Sequence, residues 1–326
     1  MNRRRFLICG ASIAITPTSA RSQSIARTFK LGILFAGTFV SSEKYFHAFF
    51  DSLAGFDYVE GKNLIVERRF ADGRIERLDM LARDLVAANM SILFAPPTPA
   101  VLALKKVTTT IPIVFCLAPD PVGTGLVKSL ARPGGNATGI STFGSGLVAK
   151  RIELIRQFLP NGRRVGVLYD TREPSARSNR AAAHEAAKRA GLAIVEAEAH
   201  SRESIDAAFG LLKKGRADAL LVFEGSLGLS NRDVVVSLAA AHHLPAIYAY
   251  PEMVIEGGLM AYTANTVQQY RRAAYYIDKI LKGANPSDLP VEQPSQFELV
   301  INQRTAKSLG LTIPEQLLLR ADRVIE

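Results

Sequence analysis

The sequence predicts an α/β protein in which a parallel-sheet unit occurs twice along the chain. Short β-rich runs alternate with longer segments of helical periodicity from one end to the other. The β-rich runs are continuously apolar, as strands covered on both faces of a parallel sheet are. At 326 residues the chain is also too long for one small core and suits two domains.

In the first half, Lys30 to Phe35 reads as a strand, and Ser41-Ser42 then caps a helix running to about Leu53. Leu64 to Phe70 is a second strand. Ile75 to Ala88 follows with Leu78, Leu81 and Leu85 at helical spacing. Ser91 to Ala95 is a strand, Pro99 to Val107 a helix with proline at its start, and Ile111 to Cys116 a strand. A run of turn formers, Ala131 to Asn136, separates this series from the next. The second series begins with a helix, Lys150 to Phe158, then a strand, Arg164 to Tyr169. Helices over Ala176–Ala190, Ser204–Lys213 and Arg232–His242 alternate with strands over Ala193–Ala197, Ala219–Phe223 and Ala246–Tyr248.

Met1 to Gln23 is set apart from this pattern. Arg3-Arg4-Arg5, the short apolar run Phe6 to Ile15 and Thr18-Ser19-Ala20 make an export signal. The order Arg3-Arg4-Arg5-Phe6-Leu7 fits the twin-arginine pattern. Cleavage near Ala20 removes three arginines and no acid, so the net charge falls from +10 to +7. It also removes Cys9, leaving Cys116 without a partner in an oxidising compartment. The expected location is the periplasm, where no nucleotide pool supports a cofactor-dependent enzyme. With 48% hydrophobic and 21% charged residues, the composition excludes a disordered chain and a disulfide-rich mini-protein.

Catalytic and metal-binding patterns are missing. The five histidines show neither His-x3-His nor His-Glu-x-x-His spacing, and there is no phosphate-binding loop or nucleophile elbow. Phe35-Ala36-Gly37-Thr38 lacks the later glycines of a dinucleotide fingerprint. No catalytic residue, metal or cofactor is therefore expected. What the strand ends offer is hydrogen bonding for a polar ligand, placed where open α/β sheets bind. Gly37 and Thr38 follow the first strand; Thr98 and Pro99 open a helix whose free N–H groups suit a carboxylate. Asp120 sits between Pro119 and Pro121, and Asp170, Glu224, Tyr250 and Asn265 follow strands of the second half. Thr98 as a helix cap and Asp120 as a turn former are the competing structural readings.

Several stretches, in order, carry a likeness. They include Tyr58 to Leu64, Thr98-Pro99-Ala100, Thr110 to Phe115, Asp120-Pro121-Val122, Ser129 to Asn136, Leu244 to Tyr248, Gly257 to Met260, Tyr270 to Ala273, Lys279 to Gly283 and Phe297 to Asn302. From about Lys30 to Glu326 the chain resembles the tryptophan/tyrosine-type substrate-binding proteins of ABC transporters. Three loops depart from that pattern. Pro97 stands where a glycine is common before Thr98, Thr263-Ala264 replaces Gly-Pro before Asn265, and Glu224-Gly225 replaces Asp-Pro.

The resemblance implies a type I periplasmic binding protein fold: two doubly wound parallel-sheet lobes joined by a multi-crossing hinge. The expected lobes are 28–144 with about 265–292, and 145–264 with about 293–326. The implied work is capture of a small polar, amino-acid-like solute, aromatic ones included, by hinge closure, followed by delivery to an inner-membrane ABC permease. A monomer that binds no nucleic acid is expected. The alternative is an extracytoplasmic sensor that presents its ligand to a membrane partner. Gly37, Thr38, Thr98, Pro99 and Asp120 are the expected contacts from the first lobe, with Asp170, Glu224, Tyr250 and Asn265 from the second lobe or the hinge.

Overall fold

A computed structural model describes residues 28–326; the export segment read from the sequence lies outside the described residues. The first sheet contains β1 (Phe29–Phe35), β2 (Leu64–Phe70), β3 (Ile92–Phe94), β4 (Ile113–Ala118) and β5 (Ala137–Ser141). Its order is β2-β1-β3-β4-β5, parallel throughout. The turn-former run at 131–136 is thus a loop inside this sheet, and β5, hidden after it, is the edge strand.

One face of the first sheet is aromatic. It is covered by α1 (Phe39–Gly55) and by α10 (Thr266–Leu281), a helix contributed from much later in the chain. Phe49 stacks on Phe94 at 4.3 Å between ring centroids, and Tyr270 of α10 meets Phe94 edge-on at 5.6 Å. The opposite face packs α2 (Leu78–Ala87) and α3 (Thr98–Val107) through Leu81, Leu85, Val101 and Leu104. α1 begins at Phe39, ahead of the expected Ser41-Ser42 cap. Ser42 lies within the helix, and its hydroxyl donates to the Thr38 carbonyl at 3.3 Å.

The second sheet runs β12-β11-β10-β9-β8-β6-β7. Its strands are β6 (Arg164–Tyr169), β7 (Ala193–Glu198), β8 (Ala219–Val222), β9 (Ala246–Tyr248), β10 (Met260–Ala264), β11 (Phe297–Asn302) and β12 (Arg323–Ile325). α4 (Gly144–Phe158) and α5 (Ala176–Ala190) cover one face; α6 (Arg202–Lys214), α8 (Arg232–Ala241) and α9 (Pro251–Ile255) cover the other. The short α7 (Ser226–Ser230) follows β8, and α11 (Gln303–Ser308) and α12 (Glu315–Leu318) lie between β11 and β12. β7-β6-β8-β9-β10 repeats the strand order of the first sheet. β11 breaks the parallel pattern by pairing antiparallel to β10. The chain re-enters this sheet from the joint, so β11 must run away from the end at which β10 finishes.

The chain passes between the sheets three times: at 142–143 after β5, at Asn265 after β10, and at 293–296 before β11. These passages are bonded side by side. Ser141 N–H donates to the Glu292 carbonyl at 2.8 Å, Glu292 N–H to Gly139 at 3.0 Å, and Asn265 N–H to Gln296 at 3.1 Å. A bulge lies beside them, where Cys116 and Leu117 of β4 stand opposite the single Ile140 of β5. Bulges re-aim side chains, and Leu117, at φ 56°, turns toward the joint.

The bulge requires a close approach at Gly139, whose φ is +153°; a Cβ there would lie 1.9 Å from the Phe115 carbonyl oxygen. Backbone cannot yield as a side-chain tip can. Gly139→Ala is expected to destabilise the protein by about 3 kcal/mol or more, read as a fall in melting temperature, whereas Gly55→Ala, with nothing within 4 Å, leaves it nearly unchanged.

Candidate functional site

The carboxyl ends of both sheets face one pocket beside the three passages. From the first sheet it is lined by Phe35 and Gly37 after β1, Thr98 after β3, and Leu117 and Pro119 at the end of β4. Opposite stand Glu173 and Ser175 after β6, Glu224 and Gly225 after β8, Leu229 and Ser230 on α7, and Tyr250 after β9. Thr142, Thr263, Thr266 and Gln269 close it at the joint.

Most of these walls are apolar or engaged in hydrogen bonds, and three polar atoms are not. Thr98 Oγ1, Ser230 Oγ and Gln269 Nε2 are buried without a partner. Gln269 is oriented by its other amide atom, which accepts from Leu117 N–H at 3.4 Å. Thr98 is the first residue of α3; Pro97 holds the cap position and no side chain caps the helix. The cap reading of Thr98 therefore fails. Its hydroxyl faces the pocket, while in the same turn Pro99 has no N–H to give and Ala100 N–H donates to the Pro97 carbonyl at 3.1 Å.

Glu224 is held by a buried cation. Arg151 on α4 has no exposed surface; its Nη2 donates to Glu224 Oε1 at 3.1 Å and its Nε to the Tyr262 carbonyl at 2.7 Å. Thr142 donates to the other carboxylate oxygen at 3.4 Å. Tyr250 accepts from Gly225 N–H at 3.2 Å, leaving its own proton free to donate. Burial, and after it the charges of Glu224 and Glu173, push the Tyr250 hydroxyl far above its ordinary value.

Of the nine residues singled out from the sequence, the pocket gathers Gly37, Thr98, Glu224 and Tyr250. The other five lie elsewhere. Thr38 is half-buried in the turn before α1. Pro99 points away, into a groove with Leu78 and Leu102, because successive residues of the first helical turn face different ways. Asp120 forms a turn, with Oδ1 accepting from Gly123 N–H at 2.8 Å, so the turn-former reading holds there. Asp170 is clasped by Arg172, at 2.6 Å from Nη2, and by His200 at 3.3 Å. Burial raises its carboxyl, but the bonds from Arg172 and His200 outweigh that and keep it below the usual range. It lines an adjoining cavity that shares Glu173 and Glu224 with the pocket. Asn265 caps α10, accepting from Gln268 N–H at 3.0 Å. Sequence reasoning missed Glu173, Ser230 and Gln269. Glu173, four residues past an apolar strand and before Pro174, carried a weaker form of the strand-end signal that points to Glu224; Gln269 sits on α10, which the sequence reading does not assign.

Residues 40–325 match the family model for ABC transporter substrate binding proteins. The chain belongs to that family. It is 28% identical over 271 residues, 83% of this chain and 78% of the relative, to a tyrosine-binding protein of Clostridioides difficile (strain R20291). A solved ABC domain in complex with L-Trp from Streptococcus pneumoniae matches with a TM-score of 0.86 at 28% identity, covering 91% of this chain and all of that one. The ligand-free, open structure of a substrate-binding protein with adhesive properties from Clostridium difficile matches with a TM-score of 0.68 at 27% identity, covering 91% and 99%. Proteins of this family are non-catalytic, extracytoplasmic carriers that bring a small molecule to a membrane transporter.

The lobes also touch beside the pocket. Glu252 on α9 accepts from the Tyr45 hydroxyl and pairs with Lys44 Nζ at 2.5 Å, both on α1. Parting the lobes separates these groups. Glu252→Ala is expected to favour the open form, raising the radius of gyration in small-angle scattering and weakening ligand affinity by about tenfold. Thr98→Val keeps the volume and removes the unpartnered hydroxyl. Since Thr98 caps nothing, its melting temperature should hold while affinity falls about tenfold or more, as calorimetry would measure.

Proposed function

We propose that this chain is the periplasmic solute-binding component of an ABC importer and that its ligand is an amino acid with an aromatic side chain. The observation that carries the reading is the pocket itself. Three buried polar atoms without partners meet a buried acid, Glu173, a part-buried one, Glu224, and an apolar wall where both lobes converge. The ligand carboxylate is assigned to the unpartnered Thr98 hydroxyl at the start of α3, and the ring to Phe35, Leu117 and Leu229. The ammonium is assigned to the Glu224 side. Asp120, the other acid expected for it, is engaged in its own turn. The tyrosine-binding relative and the L-Trp complex support an aromatic side chain.

The lobes in this reading are 28–144 with about 265–292, and 145–264 with about 293–326. The TM-score of 0.86 to the L-Trp complex, against 0.68 to the open, ligand-free relative, supports a closed arrangement here. The arginine-rich, weakly apolar start of the sequence supports export to the periplasm by the twin-arginine route. The protein acts as a monomer on a small solute and not on nucleic acid, and its partner is an inner-membrane permease.

Isothermal titration against the twenty amino acids tests the assignment. Saturable one-site binding of tryptophan, tyrosine or phenylalanine, with aliphatic side chains weaker, is the expected outcome. Heat from none of the three aromatic amino acids would overturn it.

A further inference from the structure

The three unpartnered polar atoms of the pocket fall in a fixed order along the end of the first sheet. That sheet runs β2-β1-β3-β4-β5, so its carboxyl edge presents the turn after β2, then Phe35 and Gly37, then Thr98, then Leu117. Thr98 Oγ1 and Gln269 Nε2 belong to the β3 and β4 end, since the Gln269 amide is tied to Leu117 N–H. Ser230 Oγ belongs to the β2 end. The turn after β2 is held against β1 by Gly73 N–H, which donates to the Ala36 carbonyl at 2.8 Å. The Cβ that Gly73 lacks would lie 3.4 Å from Ser230 Oγ. Ser230 rides on α7, after β8 of the second sheet, so its hydroxyl is buried where the loops of the two sheets meet.

This spacing suits one aromatic amino acid lying along the edge. Neighbouring strands lie about 4.8 Å apart, so β2 and β3, on either side of β1, are separated by about 10 Å. A carboxylate at Thr98 therefore leaves the side chain to run over Phe35 and the ring tip to arrive at Ser230. Leu229, beside Ser230 on α7, flanks the same ring. Glu224 stays with the amino-acid head, because Thr142 and Arg151 hold it at the joint. Gln269 Nε2 can only donate, as a carboxylate requires, whereas a serine hydroxyl both donates and accepts. A buried hydroxyl that meets a bare ring gives up its water and gains no bond; a hydroxyl on the ring restores one.

We propose that Ser230 is the residue by which this site reads the ring: it hydrogen-bonds a hydroxyl at the far end of the ligand side chain, so that the pocket selects tyrosine over phenylalanine. The proposal rests on the reading of the interlobe pocket as an aromatic amino-acid site with the carboxylate at Thr98.

Titration calorimetry of the full chain at pH 7 with L-tyrosine, L-phenylalanine, 4-methyl-L-phenylalanine and L-tryptophan tests it; the methyl compound matches tyrosine in shape and lacks the hydroxyl. Tyrosine should bind at least about tenfold more tightly than phenylalanine or the methyl compound. Ser230→Ala should bring tyrosine and the methyl compound within about threefold of each other while its melting temperature holds. Thr98→Val should weaken both and leave their ratio unchanged. The methyl compound binding as tightly as tyrosine, or a folded Ser230→Ala with an unchanged ratio, would overturn the proposal and leave the site reading intact. Tryptophan binding without tyrosine would do the same. Silence from all four would overturn the site reading and the proposal with it. Should Ser230→Ala not fold, the wild-type series still decides.

Discussion

A guanidinium with no access to solvent sits where the second sheet meets the joint, and the geometry of the pocket depends on it. Arg151 binds the Glu224 carboxylate at the end of β8 and the Tyr262 carbonyl in β10, and it rides on α4, the first helix after the chain leaves the first sheet. One side chain therefore fixes a helix, a strand end and a passage between the lobes relative to one another. Burying such a pair adds little net stability, but removing one partner strands the other at a cost of about 3–5 kcal/mol. The interaction is better understood as setting position than as supplying stability. It holds Glu224 at the pocket wall and spends much of the charge of that carboxylate.

The surrounding elements extend the same logic. The bulge in β4 turns Leu117 toward the pocket and lends its N–H to Gln269, which orients the amide of the first turn of α10. Pro97 takes the cap position of α3 and leaves Thr98 without a local partner. Each departure from regular structure falls at the carboxyl ends of the strands, and each frees or aims a polar group there. Elsewhere the sheets are regular, and the apolar faces are filled by helices at ordinary spacing.

Much of the architecture was legible in the sequence because parallel strands covered on both faces leave an unmistakable trace. Runs such as Ile113 to Cys116 and Ala219 to Val222 can hardly be anything else. What was not legible depended on contacts between distant segments. β5, with Thr138 and Gly139 at its centre, has a poor strand composition and is specified by β4 and the bulge. α10 shows helical spacing in Tyr270, Ala273, Ala274, Ile277 and Ile280, yet nothing local says that it covers the first sheet. Arg151, on a helix with charged neighbours, is wholly buried because its guanidinium is held by Glu224 and the Tyr262 carbonyl, partners from distant segments. At the site, strand-end position was enough to find Gly37, Thr98, Glu224 and Tyr250. It could not separate them from Asp120 and Asp170, whose carboxylates are consumed by neighbours that only the folded chain brings close.

The late arrival of α10 bears on how the molecule assembles. The face of the first sheet that carries Leu31, Ile33 and Phe94, partly covered by Phe49 of α1, is closed only when Tyr270, Ala274 and Ile277 pack on it. On a growing chain those residues emerge after five strands of the second sheet have already been made. Until then the first lobe presents an open aromatic surface, the kind of intermediate that aggregates or recruits a chaperone. Synthesis from the amino terminus thus completes the first lobe last but for the final strands, and a chain halted before residue 266 holds a nearly finished second sheet beside a first one that cannot close.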